Sequence, residues 1–553
     1  MTVILPPVGP SVAPSSPRPR EPVGAWIDDV AALTGATRTG PAGPVARLTG
    51  VTLRAQDARP GDLFAAVPGS RAHGAQYVAQ AITAGAVAVL TDDAGARLLP
   101  DTPDVPLLVV DRPREQLGAV ARRIYGDPSS RLAVIGVTGT SGKTTTCYLL
   151  EAALAADGSR SGVIGTVQTR IAGVVAPSAL TTPEAPDLQA LLAVMVERGV
   201  SAVAMEVSSH ALALGRVSGT GFAVGAFTNL SQDHLDFHHD MEEYFRAKCL
   251  LFDGRARRHV VDIDTEYGAR LAAEHPEALT VSDRAGAADW SVGSVQVAAN
   301  GVQHVVLFGP GNRRVPFDLA IPGRFNVSNA AVAVACVDVL GRDVQQAADA
   351  LAHVVVPGRM ERVDAGQDFL AVVDYAHKPG ALAAVLDAVR DGLAGRLIVV
   401  LGAGGDRDTG KRPVMGAESA ARADVLIVTD DNPRSEVPNQ IRAQVLAGAR
   451  PVAAERGIQV LEIGDRRAAI RQAVRSAGTG DALVVAGKGH EQGQEIAGVV
   501  HPFSDRDELR AALLELAGRP EPTGRTVSAE PTSLLGVTDA SPARTPAADR
   551  TPS

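Results

Sequence analysis

Lysine is nearly missing from this chain: the 553 residues hold five, Lys143, Lys248, Lys378, Lys411 and Lys488, against 48 arginines. Ordinary surface charge is therefore carried by Arg, and each surviving Lys marks a position where a compact ammonium that can give up its proton suits better than a permanently charged planar fork. Cysteine is scarcer still. Cys147, Cys249 and Cys336 are odd in number and lack metal-ligand spacing, which excludes a disulfide framework and predicts three buried thiols in a reducing cytoplasm. Aromatic residues make up 3% and the net charge is −9 with signs mixed, so nucleic acid is excluded as a partner. No window approaches the roughly 20 apolar residues of a membrane span, and no basic start leads into an apolar stretch, which predicts a soluble cytoplasmic protein without membrane insertion. Anionic ligands must then be held by local sites.

What is present is organised in blocks. The length exceeds one core and predicts about three domains. Six prolines in the first 20 residues and a Pro-, Thr-, Ser- and Ala-rich end read as disordered tails over 1–21 and 518–553. Between them, 22–130 carries short apolar runs and turns of a small α/β domain. Over 131–357 an apolar strand, a glycine turn and an apolar-periodic helix recur, and a second such rhythm fills 358–517. This is the pattern of parallel sheets with crossover helices, an α/β fold in three domains. Ligands of such sheets bind beyond the carboxyl ends of the strands, which directs attention to 138–145, 206–210, 228–234, 374–378, 402–408, 429–434 and 486–491.

The first of these holds Gly139-Thr140-Ser141-Gly142-Lys143-Thr144-Thr145, directly after the apolar run 132–137. Backbone N–H groups of such a loop wrap phosphate oxygens, Lys143 reaches the terminal phosphates and Thr144 offers a hydroxyl to magnesium. The fit to the phosphate-loop pattern is imperfect, because Val137 stands at the first glycine position. A glycine turn capping a helix would explain Gly142 but not Lys143 followed by three threonines. Glu206 ends an apolar strand, where it is either a magnesium ligand or a helix-capping or surface acid. His234 follows another strand and is a candidate ligand or acid–base group, whereas His238 and His239 read as solvated. Lys248 sits among apolar neighbours in Tyr244-Phe245-Arg246-Ala247-Lys248-Cys249-Leu250-Leu251-Phe252. It is either a snorkelling lysine or a desolvated neutral amine able to take up CO₂ as a carbamate, turning a cation into a metal-binding anion.

Residues 138–145, Glu206-Val207-Ser208-Ser209-His210, 229–236, Ala247-Lys248, Gly323-Arg324-Phe325-Asn326, Pro357-Gly358-Arg359-Met360-Glu361 and Asp374-Tyr375-Ala376-His377-Lys378-Pro379 together resemble the Mur ligases of peptidoglycan synthesis, in order, over about 45–515. Single motifs are shared with folylpolyglutamate synthases. The resemblance implies a small amino-terminal UDP-binding domain, a central phosphate-loop ATPase domain, and a Rossmann-like carboxyl-terminal domain that takes the amino acid. It implies Lys143, Lys248, Glu206 and His234 as catalytic, with Thr144, Glu206, carbamylated Lys248 and His234 as magnesium ligands. Gly139, Thr140, Ser141, Gly142, Lys143, Thr144 and Thr145 would hold the ATP phosphates, and Asn326, Arg359 and Asp374 its adenine and ribose.

Within the family, Asp431-Asn432-Pro433-Arg434 and Gly487-Lys488-Gly489-His490-Glu491 are similar to members that add meso-diaminopimelate to UDP-N-acetylmuramoyl-L-alanyl-D-glutamate. That amino acid differs from L-lysine by a second carboxylate, and an Arg fork is the natural partner of a carboxylate. Arg434 and Arg407 would clamp its two ends, with Glu491 on the far ammonium and Asp431, Asn432, Pro433 and Gly487 lining the site. The alternative for 431–434 is an Asn-Pro turn with no ligand. The muramyl dipeptide would contact Thr181, Thr182, Ser208 and Arg216, and its uridine Leu53, Ala55, Ser70, Arg71 and Ala72. There the chain departs from the common pattern, with Arg54-Ala55-Gln56 where many relatives have Asp-Ser-Arg, so one serine hydroxyl contact is missing. The expected protein is a cytoplasmic, monomeric ATP- and magnesium-dependent ligase. A same-fold ligase for L-lysine or folate, and a scaffold that binds ATP without turnover, are the alternatives.

Overall fold

The computed structural model describes residues 17–41, 47–69, 72–101, 103–176, 180–235, 237–298 and 301–518. Ser70, Arg71, Asp236 and most of both predicted tails lie outside them. Among the described residues three main sheets of five, eleven and six strands follow one another along the chain.

The central sheet carries the phosphate loop. Its parallel core runs Ser161–Ile164, Ala202–Glu206, Ala133–Thr138, Phe222–Phe227, Ala256–Asp262, Leu279–Ser282 and Trp290–Val297, with antiparallel strands at both edges. Alternation of side chains sorts these strands onto two faces. Ile135, Val137, Ala202 and Ala204 join the core built with helices Lys143–Ala155 and Arg324–Val339. Val134, Val203 and Met205 face the opposite core with helices Ala185–Glu197, Met241–Cys249 and Glu266–Glu274. Both faces are covered along Ala133–Thr138, Ala202–Glu206 and Phe222–Phe227, so these strands are apolar, with Thr138 and Glu206 as polar residues at their carboxyl ends.

The third sheet orders Glu361–Arg362, Leu370–Asp374, Ala482–Ala486, Leu397–Ala403, Val425–Asp430 and Gln459–Glu462, parallel except at the first strand. Four of these strands grow from the apolar runs 370–373, 397–401, 425–428 and 483–485, each extended by one or two residues. An apolar core passes from the second sheet to the third through Val354, Val356 and Met360. The first sheet orders Thr37–Thr39, Leu107–Val109, Ala88–Thr91, Asp62–Ala65 and Gly50–Thr52.

Three local expectations are corrected. His238 is buried at 1% exposure, with Nε2 3.0 Å from Ser209 Oγ and its ring against Tyr244; polarity in the sequence suggested solvent, but the loop folds inward onto helix Met241–Cys249. Cys249 is half-buried rather than buried. Arg18, in a proline-rich stretch read as tail, pairs with Asp62 and donates to Val51 O, so the chain is anchored before residue 22.

Candidate active site

Lys143, Lys248 and Lys378 converge where the second and third sheets meet, while Lys488 is buried within the third sheet's domain. The phosphate loop spans strand Ala133–Thr138 and helix Lys143–Ala155. Gly142 is its N-cap at φ 86°, a left-handed backbone suited to glycine, and a Cβ there would lie 2.3 Å from Asn329 Oδ1. The loop is stitched to the segment after strand Phe222–Phe227. Thr140 N donates to Asn229 O, Ser141 N to Asn229 Oδ1 at 3.0 Å, and Thr228 Oγ1 to Ser141 O at 2.7 Å.

Lys143 Nζ donates to Gly139 O at 2.8 Å and to Thr140 O at 2.9 Å; Lys248 Nζ donates to the same Gly139 O, also at 2.8 Å. Two ammonium groups on one carbonyl repel. Lys248 is 1% exposed and lies over the Tyr244 ring, and burial, reinforced by the Lys143 charge, drives its pKa well below the ordinary 10.5. Lys143 is also lowered by burial, while the nearby Glu206 carboxylate works the other way. The sequence left Lys248 between a snorkelling and a desolvated amine; the fold buries the amine itself.

Glu206 is buried, taking Thr166 N on Oε1 at 2.7 Å and Thr166 Oγ1 on Oε2 at 3.1 Å. Thr166 Oγ1 in turn lies 3.0 Å from Thr181 Oγ1. Thr182 Oγ1 donates to Glu206 O and receives Ser208 N, while Ser208 Oγ caps helix Ser209–Ala213. Arg216 pairs with Glu184 at 2.9 Å. Thr181, Thr182 and Ser208 thus gather around the buried carboxylate, with Arg216 and Glu184 nearby in the chain.

His234 holds a left-handed backbone at φ 52°. Burial pushes its pKa down to about 4, against the opposing pull of Asp233, so its imidazole is neutral at physiological pH with a lone pair to offer. Its ring is edge-on to His210, 4.8 Å away. Thr144 and Glu206 supply oxygen donors and His234 a neutral imidazole, the donor types a divalent cation takes, and Lys248 would add an oxygen donor only as a carbamate.

Third-sheet residues close the cleft. Lys378 Nζ pairs with the Asp233 carboxylate, and Lys411 Nζ donates to His377 O at 3.0 Å. Arg359 lies 4.3 Å over the Tyr375 ring. Asp374 gives both carboxylate oxygens to backbone N–H groups of Met360 and Ala376; burial raises its pKa even so. Asn326 donates to Pro322 O and accepts from Asn329 Nδ2 at 3.0 Å, which links it to the phosphate loop.

Beyond strand Val425–Asp430, Lys488 is fully buried between Asn432 Oδ1 at 2.9 Å, Glu491 Oε2 at 3.0 Å and Asp431 Oδ1 at 3.4 Å. Asn432 Nδ2 also donates to Glu491 Oε2. Arg434, at φ 51°, donates to Gly405 O at 2.6 Å and meets Glu495 at 3.2 Å. Gly487 approaches Asp431, Pro433 is buried, and Arg407 is exposed on the neighbouring loop. Leu53, Ala55 and Ala72 lie in the first sheet's domain, Ala55 buried and the other two half-buried, with Arg54 paired to Asp57 and Asp187. Sequence reasoning assigned no role to Lys378, Lys411 or Lys488. Their rarity was the available signal.

A phosphate loop facing buried carboxylates across a cleft of three α/β domains defines a nucleotide-dependent ligase, and the chain belongs to the Mur ligase family. Residues 47–125 match the Mur ligase family catalytic domain, 137–337 the Mur ligase middle domain and 358–489 the Mur ligase glutamate ligase domain. The chain is 55% identical over 460 residues to the UDP-N-acetylmuramoyl-L-alanyl-D-glutamate–2,6-diaminopimelate ligase of Corynebacterium glutamicum, covering 82% of this chain and 89% of that one. The Streptomyces coelicolor protein of the same name is 51% identical over 510 residues, 91% and 99% of the two chains. A solved structure of a ligase of that name superposes with a TM-score of 0.63 at 29% identity, covering 90% of this chain and 100% of the other. Among the described residues no helix is long and apolar enough to cross a membrane.

Proposed function

We propose that the chain joins meso-diaminopimelate to UDP-N-acetylmuramoyl-L-alanyl-D-glutamate, using ATP, in cytoplasmic peptidoglycan precursor synthesis, and that it acts as a monomer. The observation that carries the ligase reading is the meeting of Lys143 and Lys248 on the carbonyl of Gly139, within the field of Glu206. A desolvated amine at a phosphate loop is the form that takes up CO₂, and carbamylated Lys248 would join Thr144, Glu206 and His234 in holding magnesium. Magnesium there would offset the negative charge that accumulates as a carboxylate meets a triphosphate.

In the proposed reaction a γ-carboxylate oxygen of D-glutamate attacks the γ-phosphorus of ATP and the bond to the β–γ bridging oxygen breaks, giving an acyl phosphate and ADP. Residues 139–145 bind the phosphates, and Lys143 stabilises charge on the transferring group by leaving its two loop carbonyls for phosphate oxygens. The diaminopimelate amine then forms the C–N bond, loses a proton, and orthophosphate departs. Asn326, Arg359 and Asp374 border the adenine and ribose in this reading. Thr181, Thr182, Ser208 and Arg216 bind the dipeptide, and Leu53, Ala55 and Ala72 the uridine end. Asp431, Asn432, Pro433, Arg434, Arg407, Gly487 and Glu491 line the amino-acid site. Closure of the third domain excludes water, which would hydrolyse the acyl phosphate.

The test is phosphate release with product mass from purified protein, ATP, magnesium, UDP-muramoyl-dipeptide and either meso-diaminopimelate or L-lysine. Turnover with meso-diaminopimelate alone supports the reading. Turnover with L-lysine instead keeps the ligase and discards the role of Arg434. No product with either moves the assignment to folate or to a scaffold.

A further inference from the structure

At the far end of the central sheet, two histidines and a glutamate converge. His259 lies in strand Ala256–Asp262, His275 caps the carboxyl end of helix Glu266–Glu274, and Glu277 follows in the turn to strand Leu279–Ser282. His259 Nδ1 is 3.1 Å and His275 Nδ1 3.3 Å from the same oxygen, Glu277 Oε1, and one donor atom of each residue lies within 4.8 Å of the other two. We propose that His259, His275 and Glu277 form a site for a divalent transition metal of the zinc class, separate from the magnesium site of the ligase.

Three features carry this. Donors bound to one tetrahedral zinc at about 2.0–2.2 Å lie roughly 3.3 Å apart; the His–Glu separations are 3.1 and 3.3 Å, the second also a hydrogen bond, and all three donors lie within 4.8 Å of one another. His259 is only 8% exposed and neither ring nitrogen makes a hydrogen bond, although Nδ1 is beside a carboxylate oxygen. Its Nδ1 is near the carboxylate oxygen but poorly aligned with it, so the pair leaves room for a third partner between them. The two rings are also nearly perpendicular, at 85° with centroids 4.8 Å apart, and Phe252 closes the inner side 5.2 Å from His259. Two imidazoles with one carboxylate select zinc, cobalt or nickel over magnesium or calcium. Glu277 is 62% exposed on its side chain, which leaves an outer position for water.

The helix runs back against its strands, so its carboxyl end lies where they begin. The phosphate loop, Glu206 and His234 all project from their carboxyl ends. The metal would therefore tie strand to helix and following turn without touching the reacting groups, and its loss should leave turnover unchanged.

The test uses full-length protein without a histidine tag, stripped with chelator and then dialysed against zinc with magnesium in excess. Metal content is measured beside Glu277→Gln, an exposed side chain changed without loss of size, and His275→Ala, whose fold is checked by circular dichroism. The expected result is one more retained zinc per chain in the unsubstituted protein than in either variant. Zinc should also raise its melting temperature but not theirs, with ligase turnover equal in all three. Cobalt in place of zinc should give the intense visible absorption of a four-coordinate ion, absent in the variants. Equal zinc retention by all three proteins, or no cobalt spectrum in the unsubstituted chain, overturns the proposal.

Discussion

Lys378, at the entry to helix Pro379–Arg390 of the third sheet's domain, forms an ion pair with Asp233 of the central domain, one residue before His234. Burial works to raise the pKa of Asp233, but the charge and hydrogen bond of Lys378 reverse this and hold it below 3.8. The pair thus spans the cleft beside the phosphate loop, and the charge that holds the two domains is next to a proposed metal ligand.

Lys378→Ala should release this contact. The lysine is one-third exposed, so its share of the closed state is about 1 kcal/mol, roughly fivefold in the ratio of closed to open forms. Small-angle scattering with ATP bound should show a larger radius of gyration, and kcat/KM should fall by a similar factor. Because the folded pKa of Asp233 is depressed, its contribution to stability is present above the ordinary aspartate value and is lost as pH falls through the folded one. Unchanged scattering in the variant would remove the closure role.

Lys248 should trade stability for chemistry. Lys248→Met removes a buried amine and should raise the melting temperature in CO₂-free buffer while lowering turnover by about 10²-fold or more. The folded pKa of Lys248 is lowered, so the unfolded chain binds the extra proton and the unsubstituted protein gains stability as pH rises towards 10.5. The advantage of the variant should therefore shrink from pH 7 to pH 10. A carbamate signal from ¹³C-bicarbonate, seen by NMR in the parent and lost in Lys248→Met, checks the modification directly.

Lys488→Met leaves Asp431 and Glu491 facing each other without the ammonium between them. Removing one partner of a buried charge cluster costs about 3 kcal/mol. Urea unfolding should show that loss, together with a raised KM for the amino acid and little change in KM for ATP. A variant of parental stability would mean that water replaces the lysine.

Arg434 is held by Gly405 O and Glu495 before any ligand arrives, so its guanidinium is positioned in advance. Arg434→Ala should raise KM for meso-diaminopimelate by at least about tenfold and narrow a discrimination against L-lysine of about 10⁴. Competition assays with the two amino acids would read this ratio. An unchanged ratio would leave 431–434 as a structural turn.

Much of this site was legible in order. Strand positions followed from apolar runs, and the motifs singled out at 138–145 and 206–210 directly follow strands Ala133–Thr138 and Ala202–Glu206, because in parallel sheets the segments beyond the carboxyl ends are where the chain leaves the core. The scarcity of lysine marks all five positions, and the motifs around Lys143 and Lys248 are what single out those two. Other relationships had no local signature. His238 looks solvated in a polar loop and is buried, and the zinc-class cluster joins residues 16 and 18 positions apart, at no recognised spacing.

By itself the sequence determined the α/β class and the Mur ligase motifs, since these rest on side-chain periodicity and on motifs that are contiguous in the chain. Only the tertiary structure decided which charges meet. That Lys248 shares a carbonyl with Lys143, that Lys378 reaches Asp233, and that Lys488 is enclosed by Asp431 and Glu491 depends on packing between distant segments. Burial, which decides whether an amine is a cation or a nucleophile, is a property of the folded chain alone.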